Sequence, residues 1–201
     1  MAYPTVSAPY GLLPVNLIGG HVYAGATRSI PITSASATAI FFGDVVKLDA
    51  NGTLAKDVGT TAATPVGVFL GCSYTDPTYG KTFRQFYPGA VVASDIVATV
   101  CDDPDALFKV AVVTAYNSTT IGYLTRADVG ANAILAQNTG STTTGRSAVA
   151  IDDTVATTAT WPMRIVDVVA ETAIAGSPGS YTEVIVKWNA GMHQYNNATG
   201  V

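Results

Sequence analysis

Short apolar segments separated by turn-forming residues are the feature of this sequence that most limits its fold. Val, Thr and Tyr are frequent in these segments, and they favour strands over helices. Glu, a good helix former, occurs only at Glu171 and Glu183, and no long amphipathic heptad pattern is present. Because no helices alternate with the strands, we expect an all-β fold, an antiparallel sandwich or barrel-like domain, and not a parallel α/β sheet.

The clearest local prediction is a β-hairpin over residues 43–58. Its strands are 43–48 and 53–58, and its turn contains Asn51-Gly52, which suits the positive φ angles of a tight turn. Six further strands are predicted at 66–72, 96–101, 107–113, 147–151, 163–169 and 181–188. In the last one, Val184 and its even-numbered neighbours face one side, and Glu183 and its odd-numbered neighbours face the other.

Residues 1–31 are interrupted by prolines and glycines, so we predict an extended N-terminal arm. A β-rich domain is expected at 32–190, with room for two small subdomains, followed by a C-terminal tail at 191–201. Apolar surface on such an arm must lie against its own domain or a neighbouring molecule to escape water. The contact residues predicted there are Tyr3, Tyr10, Leu12, Leu13, Leu17 and Ile18.

Charged residues make up only 12% of the chain, against about 25% in a typical soluble domain. No apolar run approaches the roughly 18 residues of a membrane-spanning helix, so we expect no membrane partner. We instead expect part of the surface to be covered by neighbouring subunits, since the cores of interfaces are depleted in charge. The net charge of −4 and the absence of a basic stripe argue against nucleic acid as a partner.

The beginning of the sequence has no basic stretch followed by an apolar one, so we expect synthesis and folding in a cytosol. In that compartment Cys72 and Cys101 are expected as small buried thiols, and a disulfide between them is the less favoured alternative. The histidines, His21 and His193, have no nucleophile near them in sequence and are interpreted as packing or surface residues. We therefore expect no catalytic residues, no cofactor and no zinc site.

Two short motifs have both a chemical and a structural interpretation. Asp102, Asp103 and Asp105 could together hold a hard cation, but the favoured interpretation is a turn in which these side chains bond backbone amides. The segment Gly80-Lys81-Thr82 looks like the end of a phosphate-binding loop. Because Thr75 stands where that loop needs a glycine, and a proline soon follows, we reject nucleotide binding.

An aromatic stretch lies between residues 74 and 87. Its composition suits either a subunit contact or a surface on which sugars stack, and we favour the contact because acids and amides for sugar hydroxyls are sparse there. The contact residues predicted in this stretch are Tyr79, Phe83, Phe86 and Tyr87.

The segments 43–48 and 65–71, joined through Asn51-Gly52, resemble the small β-rich head decoration and cement proteins of tailed phages. Residues 8–15 are similar to structural proteins of marine podophages. The resemblance implies a virion protein made in the host cytoplasm and placed on the capsid surface. It implies trimers at threefold and quasi-threefold positions that clamp adjacent capsomers, with the major capsid protein and further copies of itself as partners.

The expected function is therefore that of a capsid decoration or cement protein that stabilises the head by binding across capsomer junctions. Three alternatives remain open. The first is a tail-fibre or spike module that binds host glycans through the aromatic stretch. The second is a divergent major capsid protein, although the long spine helix of that class has no counterpart here. The third is a small hydrolase that builds its site around His21 or His193.

Overall fold

The computed structural model describes residues 6–172 and 180–200, and it confirms the predicted all-β class. The described strands form two sheets, and one of these sheets curls into a partly closed barrel. Helical structure in the described ranges is limited to two 3₁₀ turns, Arg126–Asp128 and Gln194–Asn196. Within the same ranges, no helix is long and apolar enough to span a membrane.

Twelve strands are present in the described part of the chain. In chain order they are β1 (Leu13–Leu17), β2 (Arg28–Pro31), β3 (Val45–Leu48), β4 (Leu54–Lys56), β5 (Gly67–Asp76), β6 (Gly80–Arg84), β7 (Val97–Cys101), β8 (Ala106–Val113), β9 (Asn132–Ala136), β10 (Ala150–Ala156), β11 (Met163–Val168) and β12 (Glu183–Trp188).

The first sheet has the strand order β1-β8-β10-β9-β11-β12, and β12 also pairs with β8. That extra pairing closes the ring β8-β10-β9-β11-β12. The eight-residue strand β8 makes this possible because it pairs with β1 over its first half and reaches β10 with Val112 and Val113. Its opposite edge pairs with β12, where Val110 faces Val184. The barrel therefore depends on one long central strand.

The second sheet has the order β2-β7-β5-β3-β4, with β6 also paired to β5. The ten-residue strand β5 carries β3 near its start and β6 near its end, along the same edge. The predicted hairpin is confirmed as β3 and β4, with Val46 paired to Lys56. Gly52 has a φ of +72°, as the turn prediction required.

Most predicted strands are confirmed with shifted ends. Strand β5 continues four residues beyond the predicted 66–72, and β10 begins at Ala150, near the end of the predicted 147–151. In β12 the alternation is as predicted on the inner side, since Val184, Val186 and Trp188 are buried in the barrel core. Each such side chain contributes about 1.5–3 kcal/mol to the stability of the fold when it is fully buried.

Part of the segment predicted as an arm forms edge strands of the two sheets. Strand β1 pairs with β8 and contains Pro14, beside a bulge between Pro14 and Asn16. Strand β2 pairs with β7 and ends at Pro31. Proline cannot donate to a ladder, so it is tolerated at a sheet edge or bulge, and both strands lie at edges. Residues 1–5 of the predicted arm lie outside the described residues.

A buried carboxylate connects the two sheets. Asp44 is fully buried just before β3, and its Oδ2 lies 2.9 Å from the ammonium Nζ of Lys56 and accepts the backbone N–H of Phe41 at 2.9 Å. The hydroxyl of Ser147, near the start of β10, donates to Asp44 Oδ1 at 2.6 Å. Gly43, with a φ of +91°, lets the chain pass close to the segment before β1. Gly43 and Asp44 together therefore fix the junction between the two sheets.

The predicted C-terminal tail packs against the second sheet. The side-chain amide of Gln194 accepts the backbone N–H of Leu48 at 2.8 Å and donates to the carbonyl of the same residue at 3.2 Å. The backbone N–H of Gln194 also donates to Pro65 O at 2.7 Å. Because this segment directly follows β12 of the first sheet, it fastens the two sheets together.

Candidate interaction surface

The hairpin formed by β5 and β6 projects aromatic side chains from the second sheet. Its turn is held by Asp76, whose Oδ1 accepts the backbone N–H groups of Thr78 at 2.8 Å and Tyr79 at 3.1 Å. Gly80 follows with a φ of +73°, a conformation that a residue with a side chain rarely adopts. These local bonds rigidify the turn.

The two faces of this hairpin differ sharply. On the inner face Cys72 and Tyr74 are buried, and the guanidinium of Arg84 lies 6.0 Å from the centre of the Tyr74 ring. On the outer face Phe83 stands opposite Ser73 and is 80% exposed, while Tyr79 in the turn is 79% exposed. Two large aromatic rings therefore lie in solvent on one rigid hairpin.

The outer face beside these rings is electrically balanced. Lys81 Nζ lies 3.0 Å from Asp95 Oδ2, and Thr75 donates its backbone N–H and its hydroxyl to the same carboxylate at 2.9 and 2.8 Å. The two bonds from Thr75, followed by that from Lys81, hold the pKa of Asp95 well below its usual range. The carboxylate stays ionised and paired, so a partner that covers Phe83 meets no unpaired charge from this group.

Strand β6 also has a free edge. Its only strand pairing among the described residues is with β5, so its other edge carries main-chain groups that no described strand uses. An open edge is a template on which another chain can add a strand. The hairpin therefore combines a main-chain pairing edge with two exposed aromatic side chains.

Within the described part of the chain, the remaining predicted contact residues are more buried than Tyr79 and Phe83. Leu12 and Tyr87 are fully buried, and the Tyr87 hydroxyl donates to Ser36 O at 3.0 Å. Phe86 stacks on Phe41 with ring centres 5.5 Å apart. Of the others, Tyr10 bonds to Glu183, Leu13 and Leu17 are partly buried, Ile18 is exposed, and Tyr3 lies outside the described residues. Among the predicted contact residues that the structure describes, Tyr79 and Phe83 are therefore the two most exposed.

No protein-family model, curated protein or solved structure matches this chain. The function is therefore inferred from the side chains and edges that the fold presents.

The acidic segment after β7 forms the predicted turn. Asp103 Oδ1 accepts the backbone N–H of Asp105 at 2.8 Å, and Asp102 forms an ion pair with Arg28 at 2.8 Å. In the described residues, no group of three or more His, Cys, Asp or Glu side chains is arranged to hold a metal ion. Gly80-Lys81-Thr82 lies within strand β6, whereas a phosphate-binding loop requires a following helix.

The cysteines and His193 occupy buried packing positions. Cys72 and Cys101 are free and buried, and burial raises the pKa of the Cys72 thiol to about 11. His21 is exposed. His193 is buried, accepts the backbone N–H of Tyr195 at its Nδ1, and has a pKa lowered chiefly by loss of solvation.

A pocket that the sequence did not reveal lies at the end of the barrel. It has a volume of about 440 Å³, and Arg164, Lys187, Trp188 and Asn189 are among the residues that line it. Its two cations come from adjacent strands, and nothing in their sequence separation indicates that they meet. Only the pairing register of β11 and β12 brings them together.

Proposed function

We propose that this chain is a non-enzymatic structural protein of a tailed-phage head, a decoration or cement protein that attaches to shell subunits across capsomer junctions. The observation that carries the proposal is the hairpin of β5 and β6, with Tyr79 and Phe83 almost fully exposed beside a free strand edge. In this proposal the major capsid protein covers the two rings and pairs with the edge of β6.

The energetics of this hairpin suit attachment. Burying an exposed Phe or Tyr side chain contributes about 1.5–3 kcal/mol, and strand addition supplies main-chain hydrogen bonds. A single such contact is weak. Many symmetric copies bound to the same shell add their contributions, so a modest contact for each copy stabilises the whole head.

The charge distribution supports the same proposal. Only 12% of the residues are charged, and beside Phe83 the charges of Lys81 and Asp95 neutralise each other. Interfaces are depleted of unpaired charges, because an unpaired charge loses its hydration when the interface buries it. A balanced surface around two aromatic rings can therefore be covered at low cost.

The decisive experiment is cryo-electron microscopy of the virion that carries this chain, together with mass spectrometry of its copy number. Hundreds of copies at capsomer junctions, with shell density over Tyr79 and Phe83, are expected. A few copies at the tail would overturn the proposal and favour a glycan-binding fibre module. A glycan array with the purified protein separates the two further, since the cement protein is expected to bind no sugar.

Variants of the hairpin test the contact itself. Phe83→Ser and Tyr79→Ser are each expected to weaken attachment to undecorated heads by about 10- to 100-fold, the equivalent of one buried aromatic ring. Tyr116→Ser is the matched control, because Tyr116 is also an exposed aromatic residue but lies outside this hairpin. Equal losses for the control and the hairpin variants would show that the hairpin is not the attachment site.

A further inference from the structure

Two cations face each other across strands β11 and β12. Arg164 of β11 is directly paired in register with Lys187 of β12. Like charges at such a position repel and destabilise a sheet unless an anion lies between or beside them. The chain has only ten Lys and Arg residues in total, and two of them are placed here, where their charges repel.

The guanidinium of Arg164 is held in place by two amide oxygens. Its Nε donates to Asn132 Oδ1 at 3.1 Å, and its Nη2 donates to Asn189 Oδ1 at 3.1 Å. Both asparagines are buried. Neutral amides orient the guanidinium and leave its charge intact, and no described carboxylate forms an ion pair with Arg164.

The two asparagines are themselves fixed by the loop that follows β10. Asn132 Nδ2 donates to Thr158 O at 2.9 Å, and Asn189 Nδ2 donates to the carbonyls of Ala159 and Trp161, each at 3.0 Å. With their NH₂ groups committed, their oxygens must point towards Arg164. Arg164 Nη1 forms no hydrogen bond within the described residues, so the arginine keeps donors for an external acceptor.

The pocket at this end of the barrel has the properties of an anion site. Lys187 Nζ lies 3.7 Å from Asp105 Oδ1, a loose contact to a carboxylate that is largely in solvent. Trp188 contributes only to the floor of the pocket, because its ring lies on the core side of β12 and packs against Phe108 and His193.

We propose that this pocket binds a carboxylate group, with Arg164 as its main ligand and Lys187 as the second. The charges favour a carboxylate over phosphate. Arg164 and Lys187 together with Asp105 carry a net charge of about +1, which one carboxylate neutralises, whereas a doubly charged phosphate leaves an excess negative charge. This inference does not depend on the proposed capsid function.

The test uses the full chain in a ¹⁵N NMR titration with sodium acetate, with sodium chloride at equal ionic strength as the reference salt. The side-chain Nε–H signal of Arg164 is followed. We expect saturable shifts with acetate at millimolar concentration, with weaker shifts from inorganic phosphate and only screening effects from chloride. Identical shifts with acetate and chloride would overturn the proposal.

Two variants test the assignment of the ligands. Arg164→Gln is expected to weaken acetate binding at least about tenfold, as loss of one charge-assisted hydrogen-bonded ligand does. Arg126→Gln is the matched control, because Arg126 is an exposed arginine paired with Asp167 outside the pocket, and it should leave binding unchanged. An equal loss in both variants would contradict the site.

A third variant should strengthen binding, so it cannot be explained by misfolding. Asp105→Asn removes the carboxylate that competes for Lys187, and acetate affinity should rise by up to about fivefold. An unchanged or lower affinity in a folded Asp105→Asn protein would refute the charge balance that defines the site.

The source of the carboxylate is distinguished by a second titration with the capped peptide acetyl-Gly-Glu-Gly-amide. Binding at least about tenfold tighter than that of acetate indicates a glutamate side chain of a protein partner. Equal affinities indicate a free small carboxylate. Binding of phosphate more tightly than both carboxylates would overturn the assignment.

Discussion

Removing the carboxylate of Asp44 should destabilise the whole fold more than any surface change. In Asp44→Ala the buried ammonium of Lys56 loses its counter-ion, and the N–H of Phe41 and the hydroxyl of Ser147 lose their acceptor. Lys56 lies in β4 of the second sheet and Ser147 lies just before β10 of the first, so the loss falls on the junction between the sheets.

The expected loss follows from those three contacts. Each buried neutral donor left without an acceptor costs about 1–3 kcal/mol, and breaking a buried ion pair by removing one partner costs about 3–5 kcal/mol. The contributions overlap because all three donors share one carboxylate. We therefore expect Asp44→Ala to lower the free energy of unfolding by about 3–5 kcal/mol, and Asp44→Asn by less, because the amide oxygen still accepts one bond.

The assay is urea unfolding followed by the fluorescence of the chain's two tryptophans. Lys56→Met keeps most of the aliphatic stem of the lysine, and the double variant with Asp44→Ala completes a cycle that isolates the ion pair, with an expected coupling of about 1–3 kcal/mol. Asp167→Ala is the control, since it breaks an exposed ion pair and should cost under about 1 kcal/mol. A loss for Asp44→Ala no greater than that of the control would refute the reasoning.

Three further outcomes follow from the structure. Burial lowers the pKa of His193, so the unfolded chain gains a proton before the folded chain does as the pH falls below about 6.5. The free energy of unfolding should then fall by up to about 1.4 kcal/mol per pH unit. This pH dependence should be lost in His193→Gln and kept in His21→Gln. Cys72 and Cys101 should react slowly with Ellman's reagent in the native protein, and both should react quickly in guanidinium chloride. Fast reaction of either thiol in the native protein would contradict its burial. Gly67→Ala should cost about 1–3 kcal/mol or more by urea unfolding, because its Cβ would lie 2.2 Å from Cys101 O, and an unchanged midpoint would contradict that packing.

The local part of the fold could be predicted from the sequence, because it depends on residues close together in the chain. The hairpin of β3 and β4 was found from Asn51-Gly52, and the inner face of β12 from its alternating pattern. Strands β1 and β2 were missed because Pro14 and Pro31 suggest an irregular arm, although proline is tolerated where these strands lie at sheet edges.

Two other strands were missed for different reasons. Strand β9 is buried throughout, so it lacks the alternation that identifies a half-exposed strand, and its alanines belong to a residue type that is somewhat depleted in strands. Strand β6 begins with Gly80-Lys81-Thr82, which has no apolar alternation, and it becomes a strand because β5 offers its edge. Tertiary pairing, not local preference, decides both.

The candidate surface could be predicted only in part. Tyr79, Phe83 and Tyr87 share one aromatic stretch, but the first two are exposed and the third is buried under Ser36. Sequence composition does not determine which side of a strand or loop faces the core. The pairing of Arg164 with Lys187 was equally hidden, since it depends on the register between β11 and β12.

The central position of β8 has a consequence for biosynthesis. This strand pairs with β1, which precedes it by about 90 residues, and with β12, which follows it by about 70. While β12 is still on the ribosome, the edge of β8 that will receive it is open, and apolar residues destined for the barrel interior face water. Such long-range pairing is slow and leaves nascent chains prone to aggregation. Abundant production of this protein should therefore depend on how well the cell shields its nascent chain until Trp188 has emerged.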